Sequence, residues 1–432
     1  MTVGPSMLPY SHFAQKTANV VIMESFFKVT ELARVLDYRN RFPRIGTESV
    51  MLPQALDRVL AADLAAEEDL PSFSRATMDG FAVQGASTFG ASEANPAFFT
   101  VKGEVDMGEA PDFSIGPGEA ARIPTGGMLP AGSDAVVMIE YAEILDEETI
   151  EVTRSAAPGQ NIVRQGEDYR SGESVLPKGR RLRAQEMGVL AALGRTTVDV
   201  FQQPLVGIVS TGDEVVSIDR MPGPGQIRDI NSYTLAGQVA EARAKPVRLG
   251  IVADTYEDLY RSCAAALEKS DMVLISGGSS VGVRDFTLQV FSDLPDAEIL
   301  VHGMTISPGK PTILARVGQK AVWGLPGHAV SAMIVFSAVV RPFLQHIAGL
   351  SDDSADQVRR LPARMARNVA SAPGRVDFIR VRLEKKGDSL LAEPILGKSG
   401  LIHTMVRAEG LVAVGMNEEG LEKGDRVEVI PF

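Results

Sequence analysis

Residues 272–286 read MVLISGGSSVGVRDF, and the architecture of the chain turns on how that stretch is read. Met272 to Ile275 are consecutive apolar residues that run into Ser276-Gly277-Gly278-Ser279-Ser280, and Asp285 follows near the start of an expected helix. A short apolar run ending in small residues predicts a buried parallel strand with a turn at its C-terminal edge. In open α/β sheets ligands sit at that edge. Glycines let backbone N–H groups approach an anion closely, while hydroxyls and the next helix N-terminus add donors. Taken alone, the same turn needs glycine only for its backbone freedom.

Working outward, residues 204–348 alternate strand and helix. Residues 205–210 predict a strand ending in Thr211-Gly212-Asp213-Glu214. After the loop at 222–225, Ile227-Arg228-Asp229-Ile230-Asn231-Ser232 opens a helix through Arg243. A strand at 247–251, a helix at 256–269 and the strand at 272–275 complete βαβ units. Strands at 312–315 and 321–325 follow the turn Ser307-Pro308-Gly309-Lys310-Pro311, and a last helix begins after Leu325-Pro326-Gly327-His328. The alternation predicts a doubly wound, mostly parallel sheet with helices on both faces.

The flanks read differently. Residues 1–23 are irregular. Segments 24–75 and 161–203 are expected to form one discontinuous helical and mixed N-terminal domain, interrupted by a β-rich inserted domain at 76–160. Within it, Glu186 lies in the first turn of a helix at 183–193 whose stop is Gly194 and whose Met187, Leu190 and Ala191 share a face; on position alone it is a helix-dipole contact. Asp352 to Gln357 form a polar linker, and 349–432 is expected to be a small C-terminal β domain.

Composition narrows the function. The chain has 432 residues, a formal net charge of −12 and 45% hydrophobic residues. The acidic balance argues against a general nucleic-acid binder, which needs a basic face, but not against a local pocket for a phosphorylated small molecule. Cys263 is the only cysteine, so an intrachain disulfide and a multi-cysteine zinc site are excluded. It is expected to be a buried structural thiol in a reducing compartment. No apolar run is read as reaching the ~18 residues that span a bilayer, and no signal pattern opens the chain. A cytoplasmic, membrane-free protein is expected.

The glycine turns match neither the P-loop nor the dinucleotide fingerprint, and no His-Glu-x-x-His pair or nucleophile elbow occurs. What recurs is a carboxylate beside a small or helix-starting residue: Asp79, Asp168, Glu186, Asp229 and Asp285. Asp79-Gly80 taken alone reads as plain turn chemistry, whereas Thr125 before Gly126-Gly127 serves equally well as a strand end or as a donor to a phosphate or oxyanion. Acids without soft ligands suit Mg²⁺, which bridges to ligand phosphates. Lys310 and the glycine N–H groups would hold those phosphates. The residues by themselves therefore point to a magnesium-assisted enzyme acting on a phosphorylated or nucleotidyl ligand.

Together, Thr77-Met78-Asp79-Gly80-Phe81-Ala82-Val83, Pro124-Thr125-Gly126-Gly127, Glu186-Met187-Gly188, Ser210-Thr211-Gly212-Asp213-Glu214, Asp229-Ile230-Asn231, Ser276-Gly277-Gly278-Ser279-Ser280-Val281-Gly282, Pro308-Gly309-Lys310-Pro311 and Leu325-Pro326-Gly327 resemble molybdopterin molybdenumtransferase. That family includes the C-terminal domain of gephyrin. The likeness runs from about residue 24 to the C-terminus. It implies an elongated homodimer of four-domain subunits whose third domain has the molybdopterin-adenylyltransferase fold. It also implies insertion of molybdate into adenylylated molybdopterin, with Mg²⁺ required and AMP released, at a site between the third domain of one subunit and the second of its partner. A molybdopterin adenylyltransferase is the implied donor.

By position, Asp79, Thr125, Asp168, Glu186, Asp229 and Asp285 match the family's active-site polar residues. The resemblance implies that Asp229 and Asp285 hold Mg²⁺ and that Lys310 neutralises phosphate or molybdate. Thr125 would donate hydrogen bonds, and Asp79 and Glu186 would position the ligand's reacting end or handle protons. Ser276, Gly277, Gly278, Ser279, Ser307, Gly309, Lys310, Pro326, Gly327 and His328 would form the ligand cradle. Three departures stand out: Ser307 where many members carry lysine, His328-Ala329 in place of Asn-Pro, and Glu409 in place of asparagine. His328 is expected to line the pocket. Such changes admit a tungstate-using paralogue or a non-catalytic dimeric scaffold that binds partner peptides. A related adenylyltransferase or nucleotide amidohydrolase would not need the β-rich section with its Asp79 and Thr125 motifs.

Overall fold

In the computed structural model of the chain, residues 29–277, 281–352, 360–387 and 389–432 are described, with 281–285 described by their backbone alone. The expected extension at 1–23, Gly278, Ser279, the Asp285 carboxylate and most of the 352–357 linker lie outside the described residues.

The central strands form one sheet in the order Lys245–Val252, Leu205–Thr211, Met272–Ser276, Lys320–Leu325, Ile313–Val317, Ala297–His302. The first four run parallel; Ile313–Val317 is antiparallel to both its neighbours. Every residue of Met272–Ser276 is buried, as a strand covered on both faces requires. Helix Asn231–Glu241 and the segment Ala329–Ile347 pack on one face, and helices Tyr256–Lys269 and Val281–Asp293 cover the other.

Local chemistry explains these helices. Thr255 caps Tyr256–Lys269 by accepting from the Asp258 N–H; Glu257 and Asp258 lie in the first turn and Lys269 in the last. Its buried face is Leu259, Cys263 and Ala266, spaced as a helix requires. Burial pushes the Cys263 thiol up to about 12, so the lone cysteine is the inert core residue expected.

One expectation fails. Ala329–Ile347 is long and apolar enough to cross a membrane by length and composition. It does so despite Arg341, because the apolar content of the whole segment decides rather than an unbroken run. Val330, Ile334, Phe336, Val339, Phe343 and Leu344 are buried in the largest core, so it serves here as a core helix. One residue separates its π-helical turn Phe336–Val340 from Pro342, whose missing N–H and ring disfavour regular helix geometry.

Strands from the two outer N-terminal segments pair with each other: Thr47–Met51 with Thr197–Phe201, Leu64–Ala65 with Ser174–Leu176, and Arg75–Ala76 with Ile162–Val163, all antiparallel. The helix of the second segment is Ala184–Ala192; Leu190 is buried and Met187 half-buried, but Ala191 is exposed, so the expected face is narrower. Helix Leu32–Asp37, by contrast, packs with Val35 and Phe42 into the central core. The inserted segment forms a six-stranded mixed sheet that includes Gly80–Val83 and Glu119–Ile123. At the C-terminus, strands Val376–Lys386, Ser389–Pro394, Leu361–Met365, Arg426–Pro431 and Gly410–Val414 close on themselves through pairing of the first with the last. Ile306–Ser307, from the central segment, adds to that sheet parallel to Val376 and Asp377.

Candidate active site

The adjacent strands Leu205–Thr211 and Met272–Ser276 end in small polar residues at the C-terminal edge of the sheet. Asp229, 7% exposed, sits just before helix Asn231–Glu241; its Oδ1 accepts from the Ser210 hydroxyl at 2.9 Å and the Ser232 N–H at 3.1 Å. Asn231 Nδ2 donates to Ser276 Oγ at 2.6 Å and to the Gly327 carbonyl at 2.8 Å. Four sequence motifs far apart along the chain therefore meet through side-chain hydrogen bonds. Around them lies a cavity of 360 Å³ whose lining includes Asp229, Glu214, Asp254, Thr211 and Gly277.

The cavity is acidic. Burial raises the Asp254 carboxyl above its ordinary value; the Thr211 hydroxyl, which donates to it, works the other way, and Asp213 and Glu214 add to the rise. Gly277 is held at φ +138°, and a Cβ there would lie 1.9 Å from the Thr211 carbonyl oxygen, so the two strand ends touch through a residue without a side chain. Gly309, at φ +129°, is excluded from substitution in the same way by Val335 and Ile306.

A second cavity of 640 Å³ is lined by Ser307, Gly309, Lys310, Pro326, His328 and Ser331, with Arg375 and Ser399 from the C-terminal domain. Two cations thus face one space. His328 and Pro326 lie where Pro326-Gly327-His328 separates the cavities; His328 lines both, and its Nδ1 is 2.8 Å from Ser399 Oγ. The Ser307 hydroxyl is engaged by Asp377. Burial acts most strongly on Asp377 and disfavours its ionisation, yet hydrogen bonds from Ser371 and Ser307 and the Arg375 guanidinium hold its carboxyl below the ordinary value.

Asp79, Thr125, Asp168 and Glu186 line neither cavity. Asp79 is exposed; its Oδ1 accepts from the Thr125 N–H at 2.7 Å, and that bond, with the Thr125 hydroxyl, lowers its pKa. Asp168 is an exposed turn residue whose N–H donates to the Leu70 carbonyl at 3.0 Å.

Glu186 requires a correction. Its carboxylate, 4% exposed, accepts from Arg183 N at 2.9 Å, Arg183 Nε at 3.1 Å and Nη2 at 2.7 Å, and from Arg180 Nε at 3.0 Å and Nη2 at 2.8 Å. Arg183, first, and Arg180 hold it near a pKa of about 2 against burial. A carboxylate so held stays ionised at neutral pH and carries no protons. It closes the helix start, with the two arginines as clasp. Because the folded-state pKa is depressed from 4.5, its stabilisation is complete above that value and is lost as pH falls toward 2. Half-exposed Arg183 discounts the contribution to about 2 kcal/mol. Urea unfolding of Glu186→Gln is expected to show that loss at pH 7 and to converge with the parent protein near pH 2–3; equal stability at pH 7 would refute the clasp.

Sequence reasoning missed Glu214, Asp254 and Asn231 as site residues, although Glu214 and Asn231 stand in quoted motifs. It also missed Arg375 and Ser399, which reach the site from another domain and carry no spacing signal.

Comparison with known proteins agrees with this layout. Residues 27–194 match the family model for the MoeA N-terminal region (domain I and II). Residues 207–346 match the probable molybdopterin binding domain, and 362–432 the MoeA C-terminal region (domain IV). The chain is 33% identical over 423 residues to a putative molybdopterin biosynthesis protein of Methanocaldococcus jannaschii, covering 96% of each. It is 31% identical over 388 residues to the molybdopterin molybdenumtransferase of Bacillus subtilis, covering 89% of each. Among solved structures, the molybdopterin biosynthesis MoeA protein of Pyrococcus horikoshii superposes with a TM-score of 0.81 at 31% identity, over 94% of this chain and 100% of that one.

Proposed function

The chain belongs to the molybdopterin molybdenumtransferase family, enzymes of molybdenum cofactor biosynthesis, and from that premise we propose that it inserts molybdate into adenylylated molybdopterin, assisted by Mg²⁺, with release of AMP. The observation that carries this reading is the pair of neighbouring cavities: an acidic one in which Asp229, Asp254 and Glu214 outnumber Arg228, and a basic one presenting Lys310 and Arg375, with His328 in the wall of both.

The donors of the acidic cavity are hard oxygens, which suit Mg²⁺. Among the described residues no three acid, histidine or cysteine groups converge to hold an ion by themselves. That accords with a metal that takes one or two carboxylates and completes its shell with water and ligand phosphates. Asp229 would hold it, with Asp285 as the second carboxylate implied by the family motif. Bound there, Mg²⁺ would neutralise phosphate charge.

The chain's own groups do the rest. Ser210 and the Ser232 N–H orient Asp229, so its carboxylate needs no reorganisation when the ligand arrives. Asn231 ties the Ser276 strand end to the Gly327 turn and keeps the two cavities in register. Lys310 and Arg375 attract the oxyanion, and positioning of both reactants supplies most of what breaking a phosphoanhydride and metallating a dithiolene require. Asp79, Thr125 and Asp168, which line neither cavity of their own subunit, would complete the site of the partner in a homodimer. The buried single cysteine accords with a cytoplasmic setting, where a molybdopterin adenylyltransferase would supply the substrate.

The test is incubation of the protein with adenylylated molybdopterin, Mg²⁺ and either molybdate or tungstate, with AMP measured. AMP release that depends on molybdate is expected. Release only with tungstate would reassign the oxyanion, and none with either would leave a non-catalytic scaffold.

A further inference from the structure

A third cavity, small and remote from the first two, lies where the N-terminal domain joins the central one. It measures 20 Å³ and is lined by Asp57, Arg58, Arg181 and Arg243, together with the connecting residues Phe201 to Pro204. Arg58 is ion-paired with Glu48, and Arg243 lies 3.3 Å from Asp57. Arg181 forms no ion pair among the described residues, and Nε of Arg58 and of Arg181 is buried without a hydrogen-bond partner. Three guanidinium groups are thus met by two carboxylates, which leaves one positive charge. Burial acts most strongly against the charged form of Arg181; Asp57 favours it, and Arg243 and the nearby Arg341 again oppose it.

The backbone carries a second sign of the same site. Asp57 and Arg243, partners across the junction, both adopt left-handed φ of 65°. Arg243 occupies the position just after helix Asn231–Glu241 and its cap Ala242, where glycine is usual. A side chain in that conformation is disfavoured, and such outliers persist where the side chain is needed.

We propose that this junction binds one small monovalent anion of halide size, held by Arg58, Arg181 and Arg243. Arg181 is half-buried and shares Asp57 with Arg243, whose side chain is 50% exposed; a partly desolvated cation with less than a full counter-charge is costly, and buried N–H groups without a protein partner usually have an ion or water there. The room suits a single particle about the size of a water molecule, which excludes phosphate or a carboxylate metabolite. Water fills the volume but not the charge. The anion would tie strand Thr197–Phe201 of the N-terminal domain to Arg243 of the central one across the connecting residues, and so stiffen the joint. No residue of this cavity lines the Asp229 or Lys310 cavities, so the inference stands whether or not the proposed reaction does.

The experiment is thermal unfolding of the full-length protein as gluconate is replaced by chloride at constant ionic strength. A saturable rise in Tm of roughly 2–4 °C is expected, and Arg181→Gln should abolish it. In crystals of the unaltered protein soaked in bromide, an anomalous peak should lie between Arg181 and Arg243. An unchanged chloride response in Arg181→Gln, or a bromide-free water at that position, overturns the proposal. If the variant does not fold, the bromide map decides alone.

Discussion

Asp229→Asn is expected to slow AMP release roughly 100- to 1000-fold, the equivalent of about 3–4 kcal/mol of transition-state stabilisation, while the protein stays folded. The amide keeps an oxygen for the Ser210 hydroxyl and the Ser232 N–H, the two bonds that Oδ1 makes now, so local geometry survives and only the charge is lost. Asp229→Ala is the contrasting variant. It strips the helix of its N-terminal acceptor and leaves the buried Ser210 hydroxyl without its acceptor, adding about 1–2 kcal/mol of instability to the kinetic defect. Steady-state AMP release over a Mg²⁺ series, with Tm measured in parallel, separates the two effects. A rate within a few-fold of the parent for Asp229→Asn would remove this residue from the metal-holding role.

The second large effect concerns stability. Gly277→Ala is expected to cost more than about 3 kcal/mol, enough to compromise a chain of ordinary marginal stability. Two independent obstacles add: the backbone sits at φ +138°, and the new methyl would lie 1.9 Å from the Thr211 carbonyl oxygen, far inside any contact distance. Relief requires the ends of the two central strands to part, which also opens the Ser210–Asp229–Asn231–Ser276 network. Trp323, the single tryptophan, is fully buried in the central core with Phe343 edge-on at 5.0 Å, so its fluorescence reports urea unfolding of this domain. Gly188→Ala is the control. That glycine is exposed within helix Ala184–Ala192 with nothing within 4 Å of its added carbon, so alanine should stabilise the protein by about 0.5–1 kcal/mol. Equal stability of the Gly277 variant and the parent would show that the strand ends are free to separate.

The central architecture was legible because its strands are apolar throughout and its helices carry clear start and stop signals. Met272–Ser276 and Tyr256–Lys269 need no tertiary information to be recognised. Strand Ala297–His302 was missed because five of its six residues are only half-buried, so neither an apolar run nor a clean alternation marks it. Asp254 escaped for a different reason. Its significance lies in the Thr211 hydroxyl and in Asp213 and Glu214, which strand order brings together across some forty positions. Glu186 was correctly placed at a helix start, but its partners decide its chemistry: two arginines convert a candidate proton carrier into a clasp. Arg375 shows the limit of motif reading, since a β-rich tail offers no pattern that points back to a distant cavity.

Ile306–Ser307 lies in the central segment but is hydrogen-bonded into the sheet of the last domain. Lys310 follows three residues later, and Arg375 and Ser399 belong to that same last domain. Asp229 and Asn231, by contrast, are anchored to the central sheet through Ser210 and Ser276. The cationic wall is therefore split between two bodies: Lys310 stays with the central domain, whose core buries Met304 and Ile306, while Arg375 and Ser399 ride on the closed C-terminal sheet. Ile306–Ser307 rivets the two together, so grip on a ligand spanning both becomes a matter of mechanical alignment as well as local chemistry.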